Sequence, residues 1–143
     1  VEQECHREHL SAAVVEQKWQ SRSILQAKLL MMRNLMNKEE IIKYCLTLED
    51  TYKDCPFPND FESVTMKHIK NNKWFVLIMN VKDKLYINVK TNPDYSDILR
   101  NTYDYIIPAY HMNKEHWNTI IVDEKVDKTL VKELIEQSYQ LTK

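Results

Sequence analysis

The amino-acid sequence predicts an α+β fold: an antiparallel sheet of four or more strands packed against helices on one face, preceded by an extra N-terminal helical segment. Three observations lead there. Residues 61–90 hold three apolar stretches of strand length separated by short polar turns, the pattern of a meander. Leu85, Ile87 and Val89 alternate with Tyr86 and Asn88, as in a strand with one buried face. Leu130, Val131, Leu134, Ile135, Ser138 and Leu141 form one stripe at helical spacing behind Asp127, a capped terminal helix over 127–142.

Residues 1–35 lack Pro and Gly and are rich in helix formers. Leu10, Val14, Leu25, Leu29 and Met32 give a helical stripe, broken near Ser21 to Ser23, where a bend or the junction of two helices is expected. The apolar run Leu29 to Met32 is expected to be covered by the main domain or by a second copy. The chain opens on Val1 rather than Met, so this segment reads as an appendage, or the end of an upstream domain. Asn37 then caps a helix over 37–48, with Glu39 and Glu40 in its first turn and Ile41, Ile42, Cys45, Leu46 and Leu48 on its apolar face. Residues 49–60 carry two prolines and four acids and are expected to form a loop.

Strands are expected at 61–68, 73–81 and 84–90, joined by turns at Asn71-Asn72 and Lys82-Asp83-Lys84. A short helix at 94–101 would turn Ile98 and Leu99 inward. The last strand is expected at 117–122, where a polar run gives way to Thr119-Ile120-Ile121-Val122. That run, residues 108–118, is the most unusual stretch in the chain. Tyr110, Met112 and Trp117 are costly to leave in water, and His111, Asn113, His116 and Asn118 need partners if buried. It reads either as a knot of bonded polar groups with Trp117 packed beneath, or as a binding surface.

Composition sets limits. A 143-residue chain that is 43% apolar supports one core, and the net charge of −1 advertises no global affinity for nucleic acid. The absence of glycine excludes glycine-rich phosphate loops. Cys5, Cys45 and Cys55 are odd in number and have no CxxC spacing, which fits a reducing, cytoplasmic setting. No apolar run is long enough for a membrane span. His111 and His116 lack the spacing of a helical metal pair. No cofactor or metal is expected, and no catalytic constellation is evident beyond the possibility of a histidine base beside Asp104 or Asp123.

Charge is unevenly distributed. Residues 65–90 hold six lysines against one aspartate. Lys67, Lys70 and Lys73 flank Asn71 and Asn72, and Lys82 and Lys84 flank Asp83. Lysines at hairpin tips neutralise phosphates, although lysines at sheet edges also serve to prevent edge-to-edge association. Asp54, Asp60, Glu62 and the acidic final helix would oppose a phosphate backbone unless they face away.

From Met36 onward the residues resemble the MmcQ/YjbR family. The strongest match is Tyr110-His111-Met112-Asn113-Lys114-Glu115-His116-Trp117-Asn118-Thr119, similar nearly letter for letter to the family's YHMNKxHWNT signature. Met36 to Leu48, Pro56-Phe57, Ile87 to Lys90, Asn92-Pro93 and Ser138 to Leu141 add further likeness, so that 36–143 is the matching domain. The resemblance implies a frataxin-like fold and DNA binding through two β-hairpin wings. The expected contacts are Lys67, Lys70, Asn71, Asn72, Lys73, Lys82, Lys84 and Lys114. The alternative is a small-ligand or protein-interaction module using Tyr110, His111, Asn113, His116, Trp117 and Asn118.

Overall fold

The computed structural model describes residues 21–30, 35–109 and 112–143, and the chain divides into two compact units, 1–35 and 36–143. In the first unit, residues 21–30 are helical and all ten are exposed. Ser21 to Ser23 lie at the start of this described helical stretch. Leu25, Leu29 and Leu30, expected to be covered, are 58%, 42% and 59% exposed. Leu10, Val14, Met31 and Met32 lie outside the described residues.

The second unit is one six-stranded sheet with three described helices. The order along the chain is α1 (Lys38–Leu46), β1 (Thr51–Asp54), β2 (Val64–His68), β3 (Trp74–Val81), β4 (Lys84–Lys90), α2 (Pro93–Thr102), β5 (Ile106–Pro108), β6 (Trp117–Ile121) and α3 (Lys128–Thr142). The strands lie in the order β1-β2-β3-β4-β6-β5, every neighbouring pair antiparallel. Asn37 and Asp127 cap α1 and α3 with side-chain oxygens, and Pro93 occupies the first turn of α2 behind Asn92.

Two strands were not expected from the sequence. β1 is Thr-Tyr-Lys-Asp inside the acidic, proline-bearing stretch, and β5 is three residues long. Both are edge strands, whose short polar runs carry little periodicity. The expected strand at 61–68 begins at Val64, and Phe61 is 83% exposed in the loop before it. Ile98 is exposed: the buried side of α2 runs through Ser96 and Leu99, and a helix rotates about 100° per residue.

Register assigns the two faces. Val64 and Met66, Val76 and Ile78, Ile87 and Val89, Ile120 and Ile106 pair across strands on one face, and all are fully or nearly fully buried. Ile41, Cys45, Val131, Leu134 and Ile135 of α1 and α3 supply the other half of this core, at about 1.5–3 kcal/mol per buried apolar side chain. Burial pushes the Cys45 thiol up to about 12, so it remains protonated. His68 and Asn118 share this face by alternation. They touch α3 through Thr142 and α2 through Ser96 and Arg100 respectively, which places all three helices on the same side of the sheet.

A bulge between β2 and β3 joins sheet to helix. The register shifts at Met66/Lys67, so that Met66 pairs with Val76 but Lys67 pairs with Trp74. Phe75 is the extra residue. It is fully buried against His68 and Tyr139, with ring centroids 5.1 and 5.4 Å away. The Ser138 hydroxyl of α3 donates to the Phe75 carbonyl at 2.6 Å and accepts from the Lys90 N–H at 2.9 Å. It bridges β3 and β4 one residue beyond their last paired positions, Val76 and Val89. Ser138→Ala is expected to leave both backbone groups unpaired and to lower stability by about 2–6 kcal/mol, about 1–3 for each. Urea unfolding of the variant measures this, and an unchanged midpoint would contradict the bridging role.

Candidate functional site

The face opposite the helices carries a different set of side chains. Alternation from the paired residues puts Tyr52, Lys67, Trp74, Leu77, Tyr86, Asn88, Lys90, Trp117 and Thr119 there. At its centre Thr65, Leu77, Asn88 and Thr119 are buried, and their polar groups are bonded to the sheet and to one another. Thr65 Oγ1 donates to the Val76 carbonyl at 3.0 Å, Asn88 Nδ2 to the Leu77 carbonyl at 3.1 Å, and Thr119 Oγ1 to Asn88 Oδ1 at 2.5 Å. Around them Trp74, Tyr86, Lys90 and Trp117 are half-buried. Lys90 and Trp117 are direct cross-strand partners. The loop after β1 folds back so that Phe57 meets Trp74 edge-on, with ring centroids 6.4 Å apart.

The expected lysines do not form one patch. β3 runs from Trp74 beside the 69–73 turn to Val81 beside the Lys82-Asp83 turn. An eight-residue strand spans about 25 Å, so Lys82 and Lys84 lie at the opposite end of the sheet from Lys70 and Lys73. Lys67 is engaged: its Nζ is 2.7 Å from Asp54 Oδ2 and 5.8 Å from the centre of the Tyr52 ring. The hydrogen bond from Lys67 holds the Asp54 carboxyl below its ordinary value, and the same bond raises the lysine. Lys70 makes an exposed pair with Asp50 at 3.3 Å, a weak contact in water. Lys73 is exposed.

Asn71 and Asn72 build the turn. Asn71 Oδ1 accepts from the Lys73 N–H at 2.9 Å while its Nδ2 donates to the Thr142 carbonyl at 3.0 Å. Asn72 adopts φ 58° and accepts from the Tyr52 hydroxyl at 2.8 Å. Asparagine tolerates this left-handed conformation better than most residues. Next to the turn, His68 is buried against Tyr139, and its Nε2 lies 2.8 Å from Thr142 Oγ1. Burial, then Lys143 and Lys73, lower its pKa.

The described residues of the polar run before β6 form a knot of bonded polar groups. Tyr110 and His111 lie outside the described residues. Asn113 starts a turn: its carbonyl accepts from the Trp117 N–H at 2.8 Å and its Oδ1 from the Glu115 N–H at 3.0 Å. His116 takes part through its main chain, its carbonyl accepting from the Thr91 N–H at 2.7 Å. Asn118, expected as a ligand contact, is 1% exposed. Its Nδ2 donates to Thr91 Oγ1 at 2.5 Å and Ser96 Oγ at 2.8 Å, and its Oδ1 accepts from Arg100 Nε at 2.6 Å. Trp117, expected to pack beneath the turn, is half-buried, because its ring projects onto the helix-free face.

Arg100 was not anticipated. From the last turn of α2 its Nη2 donates to the carbonyls of Lys114 and, at 3.3 Å, Trp117, while its Nε holds Asn118. One planar guanidinium thus clamps the loop that presents Lys114 and Trp117. No local pattern marks it, because all its acceptors are 14 to 18 residues away. Lys73, Trp74, Lys90, Lys114 and Trp117 all lie toward the same end of the sheet. Among the described residues, no group of three or more His, Cys, Asp or Glu side chains is placed to hold a metal ion, and no helix is long and apolar enough to cross a membrane.

Comparison with known proteins adds a family. The YjbR family model matches residues 46–141. The uncharacterized protein YyaQ of Bacillus subtilis is 36% identical over 76% of this chain and 100% of its own length. The uncharacterized protein YjbR of Escherichia coli K12 is 25% identical over 73% of this chain and 86% of its own. A crystal structure of a Pseudomonas syringae protein superposes with a TM-score of 0.70 at 32% identity, covering 76% of this chain and all of that one. A Deinococcus radiodurans structure of the DUF419 domain family gives 0.65 at 27% identity, with 72% and 75% coverage.

Arg100→Ala is expected to lower stability by about 1–3 kcal/mol through the acceptors it strands. Arg100→Lys should not restore it, since an ammonium cannot span acceptors arranged for a planar fork. Thermal unfolding of both variants reads this, and full rescue by lysine would contradict the clamp.

Proposed function

The chain belongs to the YjbR family, and on that premise we propose that it binds nucleic acid, meeting backbone phosphates at one end of its sheet. The observation that carries this reading is the convergence of Lys73, Lys90 and Lys114 toward the end where Trp74 and Trp117 flank the face. Lys70 lies at the same edge but is paired with Asp50. Lysines without bound carboxylates give affinity for phosphates and little sequence preference. The arrangement differs from two equivalent wings: Lys82 and Lys84 sit about a strand length away and mix there with Asp83, Asp123 and Glu124. Glu133 and Glu136 belong to α3, on the helical side of the sheet, so their charge faces away from the bound strand.

A second reading, a ligand or protein-interaction module centred on the loop 108–118, has less support. Asn118 and Asn113 are engaged in holding the loop, which leaves Lys114 and Glu115 as its exposed side chains after Asn113. The free thiols of Cys45 and Cys55 suit the cytoplasm, where we place this activity.

Binding of a labelled oligonucleotide at several salt concentrations tests the proposal. Replacing Lys73, Lys90 and Lys114 by Gln should weaken binding for all sequences. It should also flatten the log–log salt dependence by about 0.7 per lost contact on single strands, or about 0.9 on duplex. Replacing Lys82 and Lys84 should do less. An unchanged affinity and slope in the triple variant would overturn the assignment.

A further inference from the structure

We infer that the form of nucleic acid this site takes is a single strand, laid across the helix-free face with one base on Trp74, one on Trp117 and Lys90 between them. The inference rests on the nucleic-acid reading above and narrows it to a strand form and a surface. It begins with the placement of the indoles. Trp74 is on β3 and Trp117 on β6, with β4 between them. Two strand spacings put their backbones about 10 Å apart across the sheet. A base laid face-on against an indole gives that face to the ring and so must leave its own stack, and a paired duplex does not offer such bases.

The cations on this face belong chiefly to Trp117: Lys90 is its direct cross-strand partner, on the strand between the two indoles, and Lys114 lies three residues before it in the clamped loop. Lys73, one residue before Trp74, alternates to the helix side beside His68. The carboxylate that alternation brings to this face from β1, Asp54, is neutralised by Lys67. Glu115, exposed beside Lys114, is the opposing charge nearest to the site in sequence. A polyanion with flat apolar rings matches this alternation of indole and ammonium, because base–aromatic stacking and phosphate pairing then act together.

The rings are also held in place. Phe57 meets Trp74 edge-on. Trp117 is set by the ladder with Lys90 and by Arg100 at its carbonyl. Between them, the floor is chemically quiet: Asn88, Thr119 and Thr65 direct their polar groups to one another and to main-chain carbonyls. Base edges find no free donor or acceptor there among the described residues, so the face should bind through ring faces and discriminate little among sequences.

The test compares oligo(dT), oligo(dA) and a hairpin duplex of equal nucleotide count by fluorescence anisotropy, with folding checked by circular dichroism. The single strands should bind more tightly than the duplex. Trp74→Ala and Trp117→Ala should each weaken single-strand binding roughly five- to a hundredfold and barely move duplex binding. Trp74→Phe and Trp117→Phe, which keep a stacking ring, should retain most of it. In a Trp19→Phe background, oligo(dT) should quench the fluorescence of the remaining indoles, a readout that needs no loss variant. Equal affinity for duplex and single strand, with no quenching and no effect of either alanine variant, would overturn the single-strand inference. If the lysine variants still weakened binding, the nucleic-acid reading would stand. No binding of any of the three oligonucleotides by folded protein at low salt would overturn both.

Discussion

The hydroxyl of Ser138 is the joint on which both faces of this sheet depend. It enters from α3 where β3 and β4 part, giving the Phe75 carbonyl a donor and the Lys90 N–H an acceptor. Two buried backbone groups would otherwise lack partners, at about 1–3 kcal/mol each. With the gap filled, the bulge at Phe75 is tolerated, and the bulge changes which way the neighbouring side chains point. Phe75 and Val76 both serve the helix-side core, while Trp74 comes up on the other face opposite Lys67. A polar contact inside the core thereby sets where an aromatic ring stands on the outside.

The same division explains why the two faces differ in chemistry. On the helical side, the paired aliphatic residues of β2, β3, β4, β5 and β6 meet α1 and α3 and leave almost nothing exposed. On the other side, the centre is a bonded set of Thr, Asn and Leu, ringed by half-buried Trp, Tyr and Lys. Arg100 then secures the loop that delivers Lys114 and Trp117 to the edge of that ring. Among the described residues of the polar run before β6, Asn113 and Asn118 thus act as scaffold, and Lys114 and Glu115 are the exposed side chains after Asn113.

Much of the fold could be read from residue order. The alternation of Leu85, Ile87 and Val89, the apolar run from Trp74 and the stripe behind Asp127 all correspond to observed elements. The turns were legible too. Lys82 and Asp83 both take positive φ, 50° and 65°, so this hairpin makes its left-handed turn without glycine. β1 and β5 were not legible, because short edge strands carry too few residues to show a period. The bulge was hidden as well: nothing in Lys73-Trp74-Phe75-Val76 says that one residue is extra. The site was half legible. Lysines and tryptophans stood out by type, but which of them share an end of the sheet depends on strand direction. Asn118 read as a ligand contact because its partners Thr91, Ser96 and Arg100 are distant in sequence.

The central claim is that nucleic acid meets the helix-free face at the end bearing Trp74, Lys90 and Trp117. Titrating isotope-labelled protein with oligo(dT) and following amide and indole shifts by NMR tests it most directly. The largest changes should fall on Trp74, Lys90, Lys114 and Trp117, with Lys82, Lys84 and the exposed Glu133 and Glu136 of α3 nearly still. Changes concentrated on α3, or at the Lys82-Asp83 turn, would contradict it.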